Sequence, residues 1–321
     1  MDAFGDLLRG VRSHGSVFGY ARLSTPWSLD FVDGAPLTLC AVVDGVGWVV
    51  RDGVEPVRVT SGDTVVVRGP ETFSFRDEVD TDAAPEACGV HCSTPELGGA
   101  RHRQGWTDHG DASASTSIVV GAYPVHGEIG DRLLEVIPPV ILIPADDEAD
   151  AVTRYLATEL QADRPGQQVV LDRLLDWLLV CSLRTWFDGH QHEAPQWYSA
   201  MHDDVVGPVL GIMHAEIDKP WTVAALAGRS GVSRAAFAKR FADLVGEPPL
   251  TYLTRWRMTV AADRLLERPD LTIADVAREV GYTDPFTFSS AFKRIKGSNP
   301  STHRASRREE VARAEQSRAS R

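Results

Sequence analysis

Cysteine is scarce in this chain of 321 residues: there are four, Cys40, Cys88, Cys92 and Cys181. Four thiols over such a length do not make a disulfide scaffold. Long apolar runs are missing too. The stretches VIPPVILIP and LLDWLLVCSL fall well short of the ~20 residues that cross a bilayer. The opening MDAFGDLLRGVRSHG has no apolar core of the kind a signal peptide carries. These absences predict a cytoplasmic protein with no membrane partner. Nor is there a Ser-His-Asp set, a phosphate-binding loop or a pair of carboxylates in a catalytic context. His190 and His192 sit in a polar stretch and read as solvated.

What remains is an ordinary globular composition, 43% hydrophobic and 24% charged, with a net charge of −12. That average conceals an asymmetry. Residues 221–321 hold 18 Lys+Arg against 11 Asp+Glu, and the preceding part holds 15 against 34. A basic C-terminal part on an acidic N-terminal part points to a polyanion-binding module joined to something else.

Residues from about 16 to 145 read as short strands. APLTLCAVVDG, GWVVRDG, EPVRVTSGDTVVVRGP, TFSFRD and SIVVGAYPV are separated by Asp-Gly, Gly-Asp and Gly-Pro turns, the spacing of an antiparallel barrel or sandwich. A polar stretch between Asp77 and Ser117 reads as an elaborated loop. From Asp146 the period becomes helical, with two helices split by Arg-Pro-Gly. The second carries Val170, Leu174, Leu175, Leu178, Leu179 and Leu183 on a face broader than one amphipathic helix needs, which predicts a homodimer. The segments expected are 1–145, strand-rich; 146–198, a helical hairpin, dimerisation segment and linker; 199–306, all-α; and 307–321, a disordered tail. The fold class is α+β in two domains.

The chain repeats one pattern. GRSGVSRAAFAKRFADLVGEPP (228–249) and REVGYTDPFTFSSAFKRIKGSNP (278–300) each read as a helix end, a turn and a second helix. Gly231 aligns with Gly281 and Ser233 with Thr283. After an inserted Asp284, Phe237 aligns with Phe288, Phe241 with Phe292 and Gly246 with Gly297. Each copy has a glycine for the turn and a capping residue for the second helix. Phenylalanines four apart face the core. This is a helix-turn-helix, twice. LTYLTRWRMTVAADRLLE (250–267) joins the copies as one helix ended by Pro269. It spans roughly 27 Å at 1.5 Å per residue, close to the ~34 Å between successive major-groove faces.

A helical projection sets Ala235, Lys239 and Ala242 opposite the first phenylalanine pair, with Ala238 on the flank. Phe286, Ser290 and Lys293 lie opposite the second pair, flanked by Ser289. Lys239 is suited to guanine O6 or N7; alanine and Phe286 offer apolar contacts only, as to a thymine methyl. Arg234, Arg240, Arg294, Lys296 and Arg304 suit phosphate.

The C-terminal hundred residues, with both motifs, the joining helix and the closing Gly-x-x-Pro, resemble the AraC/XylS family of bacterial transcription regulators. The N-terminal part resembles, more loosely, the cupin-type sensor of that family. The resemblance implies a regulator of promoter DNA governed by a small-molecule effector or a redox signal, usually a dimer, with RNA polymerase as partner where it activates. It places base reading on Ala235, Ala238, Lys239, Pro285, Phe286, Ser289 and Ser290. Where metal-binding cupins hold histidines, this chain has Thr38, Cys40 and Phe73, no set for a metal. The expectation is a binding pocket lined by Cys40, Trp48 and Phe73, with no cofactor and no enzymatic activity. Cys88, His91 and Cys92 offer a redox pair, Cys88 with Cys92, or a metal site. The competing readings are a cupin-type metal-dependent enzyme with an accessory helical domain, and a DNA-modifying enzyme that uses the repeats to dock.

Overall fold

The computed structural model describes residues 3–8, 17–32, 34–81, 86–88, 116–125, 127–162, 164–190 and 196–305. The tail 307–321, Cys92, His91 and most of the polar stretch after Asp77 lie outside them. The elements begin with α1 (Ala3–Leu8), β1 (Val17–Leu23), β2 (Ser28–Phe31), β3 (Leu37–Asp44), β4 (Val46–Arg51) and β5 (Val54–Thr60). Next come β6 (Thr64–Arg68), β7 (Phe73–Arg76), β8 (Glu86–Cys88), β9 (Thr116–Tyr123), α2 (Gly127–Val136) and β10 (Val140–Ile143). The rest is helical: α3 (Asp147–Gln161), α4 (Gln167–Gly189), α5 (Gln196–Met201), α6 (Val206–Ala215), α7 (Val223–Ser230), α8 (Arg234–Val245), α9 (Pro249–Glu267), α10 (Ile273–Glu279) and α11 (Pro285–Lys296). The chain divides into two compact units. One comprises Val11–Val125 and Leu133–His192; the other comprises Met1–Gly10, His126–Arg132 and Glu193–Arg321.

In the first unit the expected barrel is an open pair of sheets. One runs β1-β9-β3-β6-β10, the other β5-β4-β7-β2-β8, and among the described residues no strand ladder joins them. Pairing is antiparallel except where β8 lies parallel to β2. Every second residue enters the core between the sheets: Cys40 and Val42 on β3, Val65 and Val67 on β6, Ile118, Val120 and Ala122 on β9. The alternate residues Leu39, Ala41, Val66 and Val119 are buried as well, because α3 packs against β1, β3 and β9 on the other face. A strand covered on both faces reads as an unbroken apolar run, as LTLCAVV does. Tyr123, fully buried on β9, donates from its hydroxyl to the Leu175 carbonyl of α4 at 3.0 Å, the partner a buried phenol needs.

The second unit holds two helical cores strung on α9. Leu253 and Trp256 enter a core with Phe237, Phe241, Leu226 and residues of α6. Met258, Ala261, Ala262 and Leu265 enter another with Phe288, Phe292, Val276 and Val280. At the N-terminal end of the chain, Phe4 is buried with its ring edge-on to Tyr198, centroids 5.5 Å apart. The start of α2 also belongs here. Asp263, on α9, accepts from the amides of Glu128 at 2.7 Å and Ile129 at 3.2 Å, while Lys296 pairs with Glu128. Gly127, at φ +76°, makes this approach feasible, since a Cβ there would lie 2.5 Å from the Asp263 carboxylate.

Burial raises the Asp263 carboxyl to about 6; the two amide bonds pull it down, and the Glu128 and Glu267 charges push it up. An unfolded Asp titrates near ~3.9. Between about pH 4 and 6 the folded state therefore holds more protons, so this group makes the protein less stable as pH rises through that window, with no further change above it. The expected result is that Asp263→Asn gains stability relative to wild type from pH 4 to 6 and then levels off. Thermal denaturation of both proteins across that range checks it; a difference independent of pH would contradict it.

Candidate nucleic-acid interface

Each of the two motifs is built from local signals. Thr222 caps α7 by accepting from the Ala225 amide at 3.1 Å, and Ser233 caps α8 through the Ala236 amide at 3.2 Å. Between them Gly231 takes φ +70°, the left-handed conformation that favours glycine. In the second copy Thr272 and Asp275 form a reciprocal capping box on α10, and Gly281 takes φ +82°. Asp284 caps α11 by accepting from the Phe286 and Thr287 amides at 3.2 and 2.8 Å, and Pro285 occupies the first helical position. The Thr287 hydroxyl, then the two amides, hold the Asp284 carboxyl below the usual range. Phe237, Phe241, Phe288 and Phe292 are all fully buried, so the opposite faces of α8 and α11 are the ones turned outward.

The cations of this unit sort into two groups. Arg255 pairs with Glu247, Arg264 with Glu279, Arg268 with Asp270, Arg278 with Asp275 and Lys219 with Glu216. Arg257 donates to the carbonyls of Ile217 and Lys219. Among the described residues, Arg229, Arg234, Lys239, Lys293 and Arg294 have no carboxylate partner, and all are exposed. They stand at the end of α7, on α8 and on α11. Among the described residues, the positive charge without a carboxylate or carbonyl partner is thus carried by the helix-turn-helix elements themselves. Arg229, which stacks toward the Trp221 ring at 5.8 Å, was not singled out in the sequence; its position in the last turn of the first motif helix is the signal.

The remaining expected contacts distribute unevenly. Ala235, Phe286 and Ser290 are exposed, and Ala238, Pro285 and Ser289 are half-buried. The Ser289 hydroxyl donates back to the Pro285 carbonyl at 2.8 Å. Arg240 is held by both oxygens of Asp203, at 2.6 to 3.1 Å. Burial opposes ionisation of Asp203, but Arg240 and the Val205 and Val206 amides together keep its carboxyl low. Lys296 is turned to Glu128 and to Thr259, the latter at 3.2 Å, and Arg304 to the Leu271 carbonyl at 2.9 Å. These three cations fasten the unit's own parts, a use that helical periodicity does not reveal.

A cupin family model matches residues 2–188, and a helix-turn-helix domain model matches residues 226–306. A protein of Streptomyces lividans described as an AraC-like transcription regulator is 30% identical over 309 residues, 95% of this chain and 98% of its own. The chain belongs to the AraC family of DNA-binding transcription regulators. The HTH-type transcriptional regulator AlkR of Acinetobacter baylyi is 25% identical over 312 residues, 95% of this chain and 99% of its own. Among solved structures, the DNA-binding domain of the global transcriptional factor AdpA, in complex with a target DNA, is 32% identical; it covers 34% of this chain and 96% of that one, with a TM-score of 0.32.

In the regulator's cupin domain, two of the three expected pocket residues share one core and the third does not. Cys40 and Phe73 enter the core between the sheets, where Phe73 stacks on Phe31 with centroids 4.4 Å apart. Burial pushes the Cys40 thiol far up, so it stays protonated. Trp48 faces the other way. Its neighbour Val49 is in that core, and a Cβ on Gly47 would meet Phe75 and Trp27 there, so residue 48 lies on the outer face, in register with Arg58 and Arg76. Cys88 ends β8 opposite Phe31. Among the described residues, no group of His, Cys, Asp and Glu is placed to hold a metal ion, and no helix is long and apolar enough to cross a membrane.

Because Arg240 is tied to Asp203, Arg240→Ala is expected to lower thermal stability while leaving the salt dependence of DNA binding unchanged. Arg234→Ala is expected to do the reverse, reducing the slope of log K against log salt by about one. Titrations of both variants on one duplex at several salt concentrations check the pair.

Proposed function

We infer that the regulator reads promoter DNA with two recognition helices, α8 and α11, set in successive major grooves of one duplex face. The observation that carries this reading is the shared helix α9, whose 19 residues span ~28 Å at 1.5 Å per residue. Lys239, Ser290 and Phe286 are the base-reading side chains; Ala235 and Ala238 on α8 and Pro285 on α11 shape the apolar contact, and Ser289 lines its flank. Arg229, Arg234, Lys293 and Arg294 hold phosphates, a division supported by their lack of carboxylate partners. The phosphates position the protein and the bases specify the site.

The protein works in the cytoplasm as a homodimer, without enzymatic activity, and contacts RNA polymerase where it activates. Dimerisation is assigned to α4. Leu175, Leu178, Leu179 and Leu183 are buried within the unit, but Val170 is 36% exposed and Leu174, Trp177 and Cys181 are only half-buried. These four lie at spacings of four, three and four, the seam by which two helices pack. The effector of the sensor is a small apolar molecule received between the sheets beside Cys40 and Phe73. That assignment is supported by the apolar core of Trp27, Phe31, Phe75 and valines around these two residues. Trp48 is left to the outer face. A redox input through Cys88 and Cys92 is the alternative signal, favoured only by their nearness in sequence.

Lys239→Ala is expected to weaken operator binding by about 1–3 kcal/mol and to relax preference at one or two base pairs. Ser290→Ala is expected to relax preference about 10 base pairs away. Binding-site selection with both variants in one buffer checks this; shifts at the same base pairs would contradict it. Trp177→Glu is expected to give a monomer at micromolar concentration, read by ultracentrifugation.

A further inference from the structure

Among the described side chains, phenylalanine is buried with one exception. Phe31, Phe73, Phe75, Phe187, Phe237, Phe241, Phe288 and Phe292 are all within 8% exposure, whereas Phe286 is 84% exposed. It is the second residue of α11, held there on both sides: Pro285 fixes the backbone before it, and its own amide is bonded to the Asp284 carboxylate. In a helix-turn-helix, the N-terminal residues of the second helix are those that meet base edges.

The chemistry of this turn is unusual for a DNA-reading end. Its two neighbouring hydroxyls are turned back on the helix, Thr287 to the Asp284 carboxylate and Ser289 to the Pro285 carbonyl. The helix amides that could receive a phosphate are taken by Asp284, whose negative charge also repels one. The free cations of α11, Lys293 and Arg294, come two turns later. The entering turn therefore presents neither a spare donor nor a phosphate grip, only an aromatic ring. In the major groove the one apolar feature of a base edge is the C5-methyl group of thymine.

We propose that Phe286 reads a pyrimidine C5-methyl, that of thymine, and so adds a methyl-dependent position to the specificity of the second motif. This rests on the reading of α11 as a recognition helix. C5-methylcytosine carries the same methyl at the same place, so the same contact would respond to it.

The test uses the full chain. Binding-site selection from a random duplex pool supplies the operator, and each thymine is then replaced singly by deoxyuridine, which removes only the methyl. Wild type is expected to lose about 3- to 5-fold at one or two adjacent positions in the second subsite, the effect of one methyl left uncovered. Phe286→Ala is expected to lose a similar amount on the thymine duplex and nothing more on the deoxyuridine duplex. Phe286→Leu, still apolar, is expected to keep the methyl dependence. With guanine opposite, 5-methylcytosine at that position is expected to bind more tightly than cytosine. At 84% exposure the ring can be removed without disturbing a core, and an unchanged melting temperature verifies this. Undiminished binding by Phe286→Ala, or a loss that leaves the deoxyuridine effect intact, would overturn the assignment. If selection enriches no sequence at all, the underlying reading of α8 and α11 fails, which is a separate result.

Discussion

Helix α9 must satisfy two cores at once. Its first half commits Leu253 and Trp256 to the packing around Phe237 and Phe241, and its second half commits Met258, Ala261, Ala262 and Leu265 to that around Phe288 and Phe292. Val260 touches both. Because interiors are packed nearly as densely as crystals, neither recognition helix can rotate about α9 without opening a void in its own core. The two motifs are therefore related through one continuous helix rather than a flexible linker, so holding them together carries no entropy of loop closure. Asp263 adds to this constraint: the same helix that joins the motifs also receives the first turn of α2 through two amide bonds.

Charge follows the same division of labour. A net charge of −12 is unpromising for a DNA-binding protein, but the average is misleading. Among the described residues of the helical unit, most guanidinium groups are tied to a neighbouring carboxylate or carbonyl, and the cations without such a partner stand on α7, α8 and α11. Local field rather than net charge governs the approach of a polyanion. The sorting also explains why counting basic residues along a helix overestimates the interface: Arg240 and Lys296 have the spacing of phosphate contacts and the partners of structural residues.

Local chemistry made the helical half of the molecule legible in the sequence. The caps Thr222, Ser233 and Asp284, the turn glycines 231 and 281, and the phenylalanine pairs each act within a few residues of themselves, so their pattern is written contiguously. What the sequence did not reveal acts at a distance. The carboxylate of Asp263 meets an amide 135 positions earlier, and Arg240 meets an aspartate 37 positions earlier. The direction of Trp48 depends on the phase of β4 against its neighbours, which a short run of Gly, Trp and Val leaves ambiguous. Closure of the sheets depends on pairing between strands distant in sequence, so strand-like runs alone could not distinguish a barrel from two open sheets.

The rigidity of α9 is the central claim, and operator spacing tests it most directly. From a selected operator, the distance between the subsites of α8 and α11 is changed by inserting one to ten base pairs, and the affinity of the full chain is measured at fixed salt. A rigid α9 requires that every insertion, including one of a full helical turn of about 10 base pairs, reduce binding to the level of a single motif. Recovery of affinity at the full-turn insertion would mean that the two motifs move independently, contradicting the claim.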